Sequence, residues 1–132
     1  MIDHFGICVT ELPRSQRFYT ACLAPLGIKL VEEHAYGAVI YGPHMDGPFM
    51  WVGTARPSFW RPEHSAGNSP MHLAFTAPDA AAVDAFYAHG LEAGGTDNGP
   101  PGPRGDGWYQ AFLIDPDGNN IEAAVRPKSS VA

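Results

Sequence analysis

The chain is short of cations. Eight Lys and Arg stand against fourteen Asp and Glu in 132 residues, for a formal charge of −6, and the basic residues nowhere cluster. A nucleic-acid surface needs a stripe of Lys and Arg to neutralise phosphates, and an anionic membrane surface needs the same, so neither partner is expected. Long apolar runs are missing as well. No stretch approaches the roughly 18 residues that a membrane span requires. The start, MIDHFGICVT, lacks a basic segment followed by a long apolar one, so no signal peptide is expected. Two cysteines, Cys8 and Cys22, make no disulfide framework. These absences lead to the expectation of a soluble, reduced, cytoplasmic protein, long enough for one domain with a real core.

Glycine and proline, by contrast, are plentiful and bunched. They concentrate in Gly42 to Pro48, Gly53 to Pro70 and Gly94 to Gly107, which read as turns and long loops between short strands. Between these stretches the chain repeats itself. At a shift of 68 positions "DHFGICVTELPRSQRFYTACL" lies over "MHLAFTAPDAAAVDAFYAHGL". His4 falls on His72, and Phe18-Tyr19 falls on Phe86-Tyr87. Each half closes with an Asp-Gly turn into a last strand, Asp46-Gly47 matching Asp117-Gly118 at a shift of 71.

Each half therefore reads as strand, helix, then three strands. The expected strands are about 3–9, 28–33, 36–41 and 48–53, then 70–76, 94–97, 108–114 and 119–125, with helices at about 13–23 and 79–91. Pro13 suits a first helical turn, and Asp79 follows Pro78 in a capping context. Val83, Phe86, Tyr87 and Leu91 recur at helical spacing. One such module is too small to bury a sheet face alone, so the two must pair. The expected fold is α+β: two βαβββ modules whose sheets form a cup, with the helices on the outside. Module one spans 2–53, a linker 54–69 and module two 70–126, within a single domain 1–127 followed by a tail at 128–132.

Strand alternation gives this repeat its chemistry, because successive residues face opposite sides of a sheet. Phe5, Ile7 and Val9 form one apolar face, as do Met71, Leu73 and Phe75, and Ile121, Ala123 and Val125. The other faces then carry His4, His72 and Glu122, flanked by Gly6, Ala74 and Ala124, whose small side chains leave room for a bound group. A lone strand histidine is more often a hydrogen-bonded rim residue, and a lone Glu near a hairpin is usually solvated. Two histidines at equivalent repeat positions, sharing a face with one glutamate, raise the metal reading. Two imidazoles and a carboxylate can occupy one face of an octahedral ion and leave positions open.

The segments "DHFGICV", "FYTACLAPLG", "HLAF" and above all "DPDGNNIE" resemble the vicinal oxygen chelate superfamily, which includes glyoxalase I, bleomycin-resistance proteins, fosfomycin-resistance enzymes and extradiol dioxygenases. The resemblance covers nearly the whole chain. It implies a cup holding a divalent metal (Fe, Mn, Ni or Zn) that chelates two neighbouring oxygens of a small-molecule substrate. The superfamily's metal positions map onto His4, Trp51, His72 and Glu122. Trp51 is the departure, since tryptophan neither ligates nor moves a proton, and this counts against plain glyoxalase I activity. The remaining His4, His72 and Glu122 match the sets in extradiol dioxygenases and fosfomycin thiol transferases. A dioxygenase would also need acid/base groups, for which Tyr109, Tyr41, His34 and His44 are candidates.

Phe49 and Trp51 share the cup face as an apolar wall, or else Trp51 fills the vacated ligand space. The segment Gly95 to Trp108 reads as a loop that presents Arg104 to an anion, or as an ordered turn in which Arg104 pairs with Asp106. Tyr109 completes the expected substrate-binding group with Phe49, Trp51 and Arg104, while Cys8 reads as a small filler. Two function classes follow. One is a metal-dependent lyase, isomerase, thiol transferase or ring-cleaving enzyme in which Glu122 is also catalytic. The other is a metal-free cup that sequesters a drug or other small ligand. The long linker allows modules to exchange partners, so a homodimer is expected, with His4 from one subunit facing His72 and Glu122 of the other.

Overall fold

The computed structural model describes residues 1–128; of the expected tail, residues 129–132 lie outside the described part. Module one runs β1 (His4–Cys8), α1 (Leu12–Leu23), β2 (Lys29–His34), β3 (Ala38–Gly42) and β4 (Phe49–Gly53). Module two repeats the order with β5 (His72–Thr76), α2 (Ala80–Glu92), β6 (Thr96–Pro103), β7 (Tyr109–Ile114) and β8 (Asn120–Val125). The sheets have strand orders β1-β4-β3-β2 and β5-β8-β7-β6. In each, the first and last strands run parallel and the other pairs antiparallel. This is the α+β arrangement of two βαβββ modules expected from the repeat.

Local signals explain both helices. Pro13 sits in the first turn of α1, and the chain leaves the short 3₁₀ turn that follows through Gly27 at φ 78°, the left-handed region glycine favours. Asp79 caps α2, its Oδ1 accepting the Ala82 amide at 2.8 Å. Phe18, Tyr19, Cys22 and Leu23 bury one stripe of α1, and Val83 and Phe86 bury the matching stripe of α2. The helices pack against each other and share one core with the inner sheet faces, including Ile7, Val9, Leu113, Ile121 and Ala123. At Gly90 of α2 a β-carbon would collide with Leu113 Cδ1 and lie 3.3 Å from Cys22 Cβ, so a larger residue there would force the buried Leu113 side chain to shift.

The turn Asp115–Asn119 ties the modules together. Buried Asp115 accepts from the Asp117 and Asn119 amides, the Asn119 side chain and, at 2.5 Å, the Tyr19 hydroxyl of α1. Asp117 in turn accepts from Thr10 Oγ1, the Thr10 amide and Arg14 of module one. Burial lifts the Tyr19 hydroxyl pKa well above the ordinary phenol range, and the Asp115 charge pushes it further the same way.

Two features depart from the sequence expectations. Within one chain the sheets share no strand pairing and do not close into a cup; α1 and α2 meet instead, and the opposite sheet faces remain open. Most of the glycine-proline segment read as a loop is strand β6. It lies at a sheet edge with two register shifts against β7, where prolines are tolerated because an outward amide needs no partner.

Candidate active site

Strand register places the candidate residues as alternation requires. Ile7 and Val9 are buried on the helix side of β1, and Ile121 and Ala123 on the helix side of β8. In the parallel ladders Gly6 pairs with Trp51 and Ala74 with Glu122, so Trp51 and Glu122 hold the same position in their modules.

His72 and Glu122 meet. Their strands adjoin, and the two residues stand diagonally on one face. His72 Nε2 lies 3.0 Å from Glu122 Oε2. Glu122 is buried at 6 % exposure, while the His72 side chain is half exposed. Gln110 of β7 donates to Glu122 Oε1 at 2.7 Å. On the other side of the ring, Asn120 Nδ2 contacts His72 Nδ1 at 2.9 Å, and Asn98 donates to Asn120 Oδ1. This chain of donors makes Nδ1 the acceptor and leaves the imidazole proton on Nε2, directed at Glu122.

His4 stands apart on the other sheet. Its ring stacks on Phe49 with centroids 4.5 Å apart, and Nδ1 lies 2.7 Å from Asp3 Oδ1. A proton on Nδ1, given to Asp3, leaves Nε2 with a lone pair facing outward, which is how ligating histidines are commonly oriented. Among the described residues no three His, Cys, Asp or Glu side chains converge in a way that can hold a metal. His72 and Glu122 nonetheless suit one by donor chemistry and spacing. Adjacent ligands at about 2.1 Å from a six-coordinate ion are themselves about 3 Å apart. His4, the other candidate, lies on a different sheet from this pair.

The remaining candidates divide. Trp51 and Phe49 line an open pocket of about 320 Å³ on module one with His34, Tyr36, Ile40 and Met45. His34 stacks on Tyr36 at 5.0 Å, and Trp51 Nε1 donates to the Tyr36 hydroxyl at 3.3 Å. Arg104 lies on the site side of module two, its guanidinium 5.5 Å from the centre of Phe112, whose own ring is 6.4 Å from His72. It donates to the carbonyls of Pro100 and Gln110, and Asp106 accepts instead from the Trp108 amide.

Tyr109 is not brought to this face. It pairs with Val125 in the ladder and donates to Asp84 of α2 at 2.6 Å, an acid that raises its pKa above the phenol range. Tyr41 is fully buried and bonded to Thr20 and the Gln16 carbonyl, so it supplies no acid or base here. The thiol of Cys8 is pushed up, first by burial and then by Asp117, with Arg56 opposing; a thiolate nucleophile is disfavoured.

Two residues of this face escaped the sequence reading. Gln110 was available from the alternation of Tyr109–Ile114, in which Ala111 and Leu113 point into the core and Gln110 and Phe112 point away. Arg126 continues the series Asn120, Glu122, Ala124 one step beyond β8. It borders a second open pocket of about 300 Å³ with Ala74, Thr76, Trp108, Gln110 and Glu122.

Comparison with known proteins agrees with this architecture. The Glyoxalase/Bleomycin resistance protein/Dioxygenase superfamily profile matches residues 1–123. A crystal structure of a glyoxalase/bleomycin resistance protein from Albidiferax ferrireducens T118 is 35% identical, covers 96% of this chain and 99% of its own, and superposes with a TM-score of 0.75. Two more distant structures share the fold. A glyoxalase-related enzyme from Fulvimarina pelagi is 18% identical over 98% of this chain and 93% of its own, with a TM-score of 0.68. A lactoylglutathione lyase from Agrobacterium tumefaciens is 20% identical over 95% of this chain and 92% of its own, at 0.62. No curated protein matches the chain, and no helix among the described residues is long and apolar enough to cross a membrane. From the paired modules, the profile match and the 35% identical relative, the chain belongs to the glyoxalase/bleomycin resistance protein/dioxygenase superfamily.

Proposed function

We propose that the protein is a divalent-metal-dependent enzyme acting on a small molecule with two adjacent oxygens. The observation that carries this reading is the His72–Glu122 pair. It sets His72 Nε2 and Glu122 Oε2, both ligand atom types, 3.0 Å apart, with Gln110 holding the glutamate. His72 and Glu122 would hold the ion with His4 as third ligand, supplied by a second copy in a homodimer that brings module one of one chain against module two of the other. The open sheet faces and the outward Nε2 of His4 support that assembly. A bound Fe, Mn, Ni or Zn ion supplies Lewis-acid polarisation of the substrate oxygens.

The chain's own residues do the rest. Gln110 keeps Glu122 oriented as a carboxylate, and ligation through His72 Nε2 would place the ring proton on Nδ1, with the Asn120 side chain turned to accept it. Phe49 and Trp51 wall the organic part of the substrate, and Arg104, over Phe112 and bonded to the Pro100 and Gln110 carbonyls, borders the substrate at the His72 end. Lyase, isomerase, thiol transferase and ring-cleavage chemistry all remain compatible with these parts.

The aromatic pocket of module one favours a second reading, a cup that sequesters a flat ligand without turnover. Elemental analysis of untagged protein beside Glu122→Ala separates the two. Near-stoichiometric metal in the wild type, lost in the variant, is the expected result. No uptake even after loading with Fe(II), Mn, Ni and Zn would overturn the enzyme reading and promote sequestration.

A further inference from the structure

Arg126 is placed as a ligand-binding group. Its guanidinium lies over Trp108 with Cζ 4.9 Å from the ring centre. Among the described residues no carboxylate pairs with it and no hydrogen bond uses its donors, whereas Arg14 and Arg61 have acid partners and Arg17, Arg56 and Arg104 bond backbone carbonyls. Stacking occupies one flat face of a guanidinium and leaves its edges free to grip a planar oxyanion with two parallel bonds. The platform is itself held: the Trp108 amide donates to Asp106, and its carbonyl accepts from the Arg104 amide.

Arg126 and Glu122 border the same pocket, four positions apart along one strand line. Four strand residues span about 13 Å between α-carbons. A chain of charge −6 repels anions in general, so a cation with no acid partner among the described residues, placed beside the site, selects locally for what the rest of the surface disfavours. We infer that Arg126, stacked on Trp108, clamps a carboxylate or comparable oxyanion at the far end of the substrate from His72 and Glu122. The substrate class is then an organic anion longer than a two- or three-carbon acid, with its adjacent oxygens at the opposite end from the charge. This rests on the reading of His72 and Glu122 as the metal-binding end.

Three probes separate the two claims: 4-methylcatechol carries adjacent oxygens alone, 3-phenylpropionate an anion alone, and 3-(3,4-dihydroxyphenyl)propionate both. Each is titrated into Mn(II)-loaded protein by calorimetry. 3-Phenylpropionate is also followed in metal-free ¹⁵N-labelled protein through the Arg126 Nε and Trp108 indole signals. The dihydroxy acid is expected to bind about fivefold or more tightly than 4-methylcatechol. That advantage should vanish in Arg126→Ala, persist in part in Arg126→Lys, and shrink as salt is raised. Equal binding of the two catechols in the wild type, or an advantage that survives Arg126→Ala in a variant with an unchanged melting profile, would overturn the clamp while leaving the metal site standing. Arg126-dependent signals with 3-phenylpropionate and no catechol binding would support the clamp and sink the metal reading. No response to any probe would refute both.

Discussion

Tyr19→Phe removes one oxygen from the clamp between the modules and nothing else. The ring remains packed edge-on against Phe18 at 4.9 Å, and no cavity larger than a hydroxyl opens. Asp115 then keeps three of its four donors, the Asp117 and Asn119 amides and the Asn119 side chain. A hydrogen bond to a buried charged group contributes about 1.5–3 kcal/mol, and that is the expected loss. For a chain of this size 1 kcal/mol lowers Tm by about 3–5 °C, so the melting point should fall by about 5–15 °C. Urea titration should show a lower midpoint with an unchanged slope and a single transition, because the bond joins α1 of one module to the last turn of the other. Tyr19→Phe combined with Asp115→Asn should cost less than the sum of the single changes. A loss below about 0.5 kcal/mol in the single variant, or strict additivity in the pair, would refute the clamp as a source of stability.

Three further outcomes follow from the same structure. Gly90→Ala should destabilise by about 1–2 kcal/mol in urea titration, because the collision with Leu113 outweighs the helix-propensity gain of about 0.5–1 kcal/mol; a stabilised variant would refute the close approach. Stability should fall in alkali. Tyr19 is raised above the phenol range, and burial lifts Tyr41 to about 12 although its Thr20 bond opposes the shift. Neutral tyrosine is therefore favoured in the fold, and the contribution is complete below about 10 and lost as pH climbs through the folded values. Urea midpoints that stay flat from pH 9 to 12 would contradict this. Finally, Gln110→Leu should weaken metal uptake about 10-fold or more by freeing Glu122, whereas Tyr109→Phe should leave uptake unchanged; the reverse ranking by metal titration would show that the two faces of β7 are misassigned.

Much of this molecule is legible in its sequence because the relevant physics is local. Alternation along β1, β5 and β8 assigns His4, His72 and Glu122 to the face away from the helices, and the repeat shift aligns Trp51 with Glu122, as the ladders bear out. Tyr109 misled because a hydroxyl beside a glycine-rich segment suggests a site, while alternation in its own strand turns it toward Asp84. Strand β6 was hidden by composition: Pro100, Pro101 and Pro103 read as loop until the strand is known to lie at an edge. Whether two sheets close around a cup is a tertiary fact that no strand pattern records. Here α1 and α2 pack against each other, and the sheets do not close around a cup.

The Trp51–Glu122 equivalence has a consequence for how a ligand can sit. Two copies of one unit, paired through their own symmetry, would make a pocket that looks the same from either end, and a guest could bind in either of two directions. Tryptophan at one end and a carboxylate at the other remove that degeneracy. Were module one of one chain set against module two of another, as proposed, the pocket between them would have a head and a tail, and with them a fixed choice of which end of an unsymmetrical molecule meets His72.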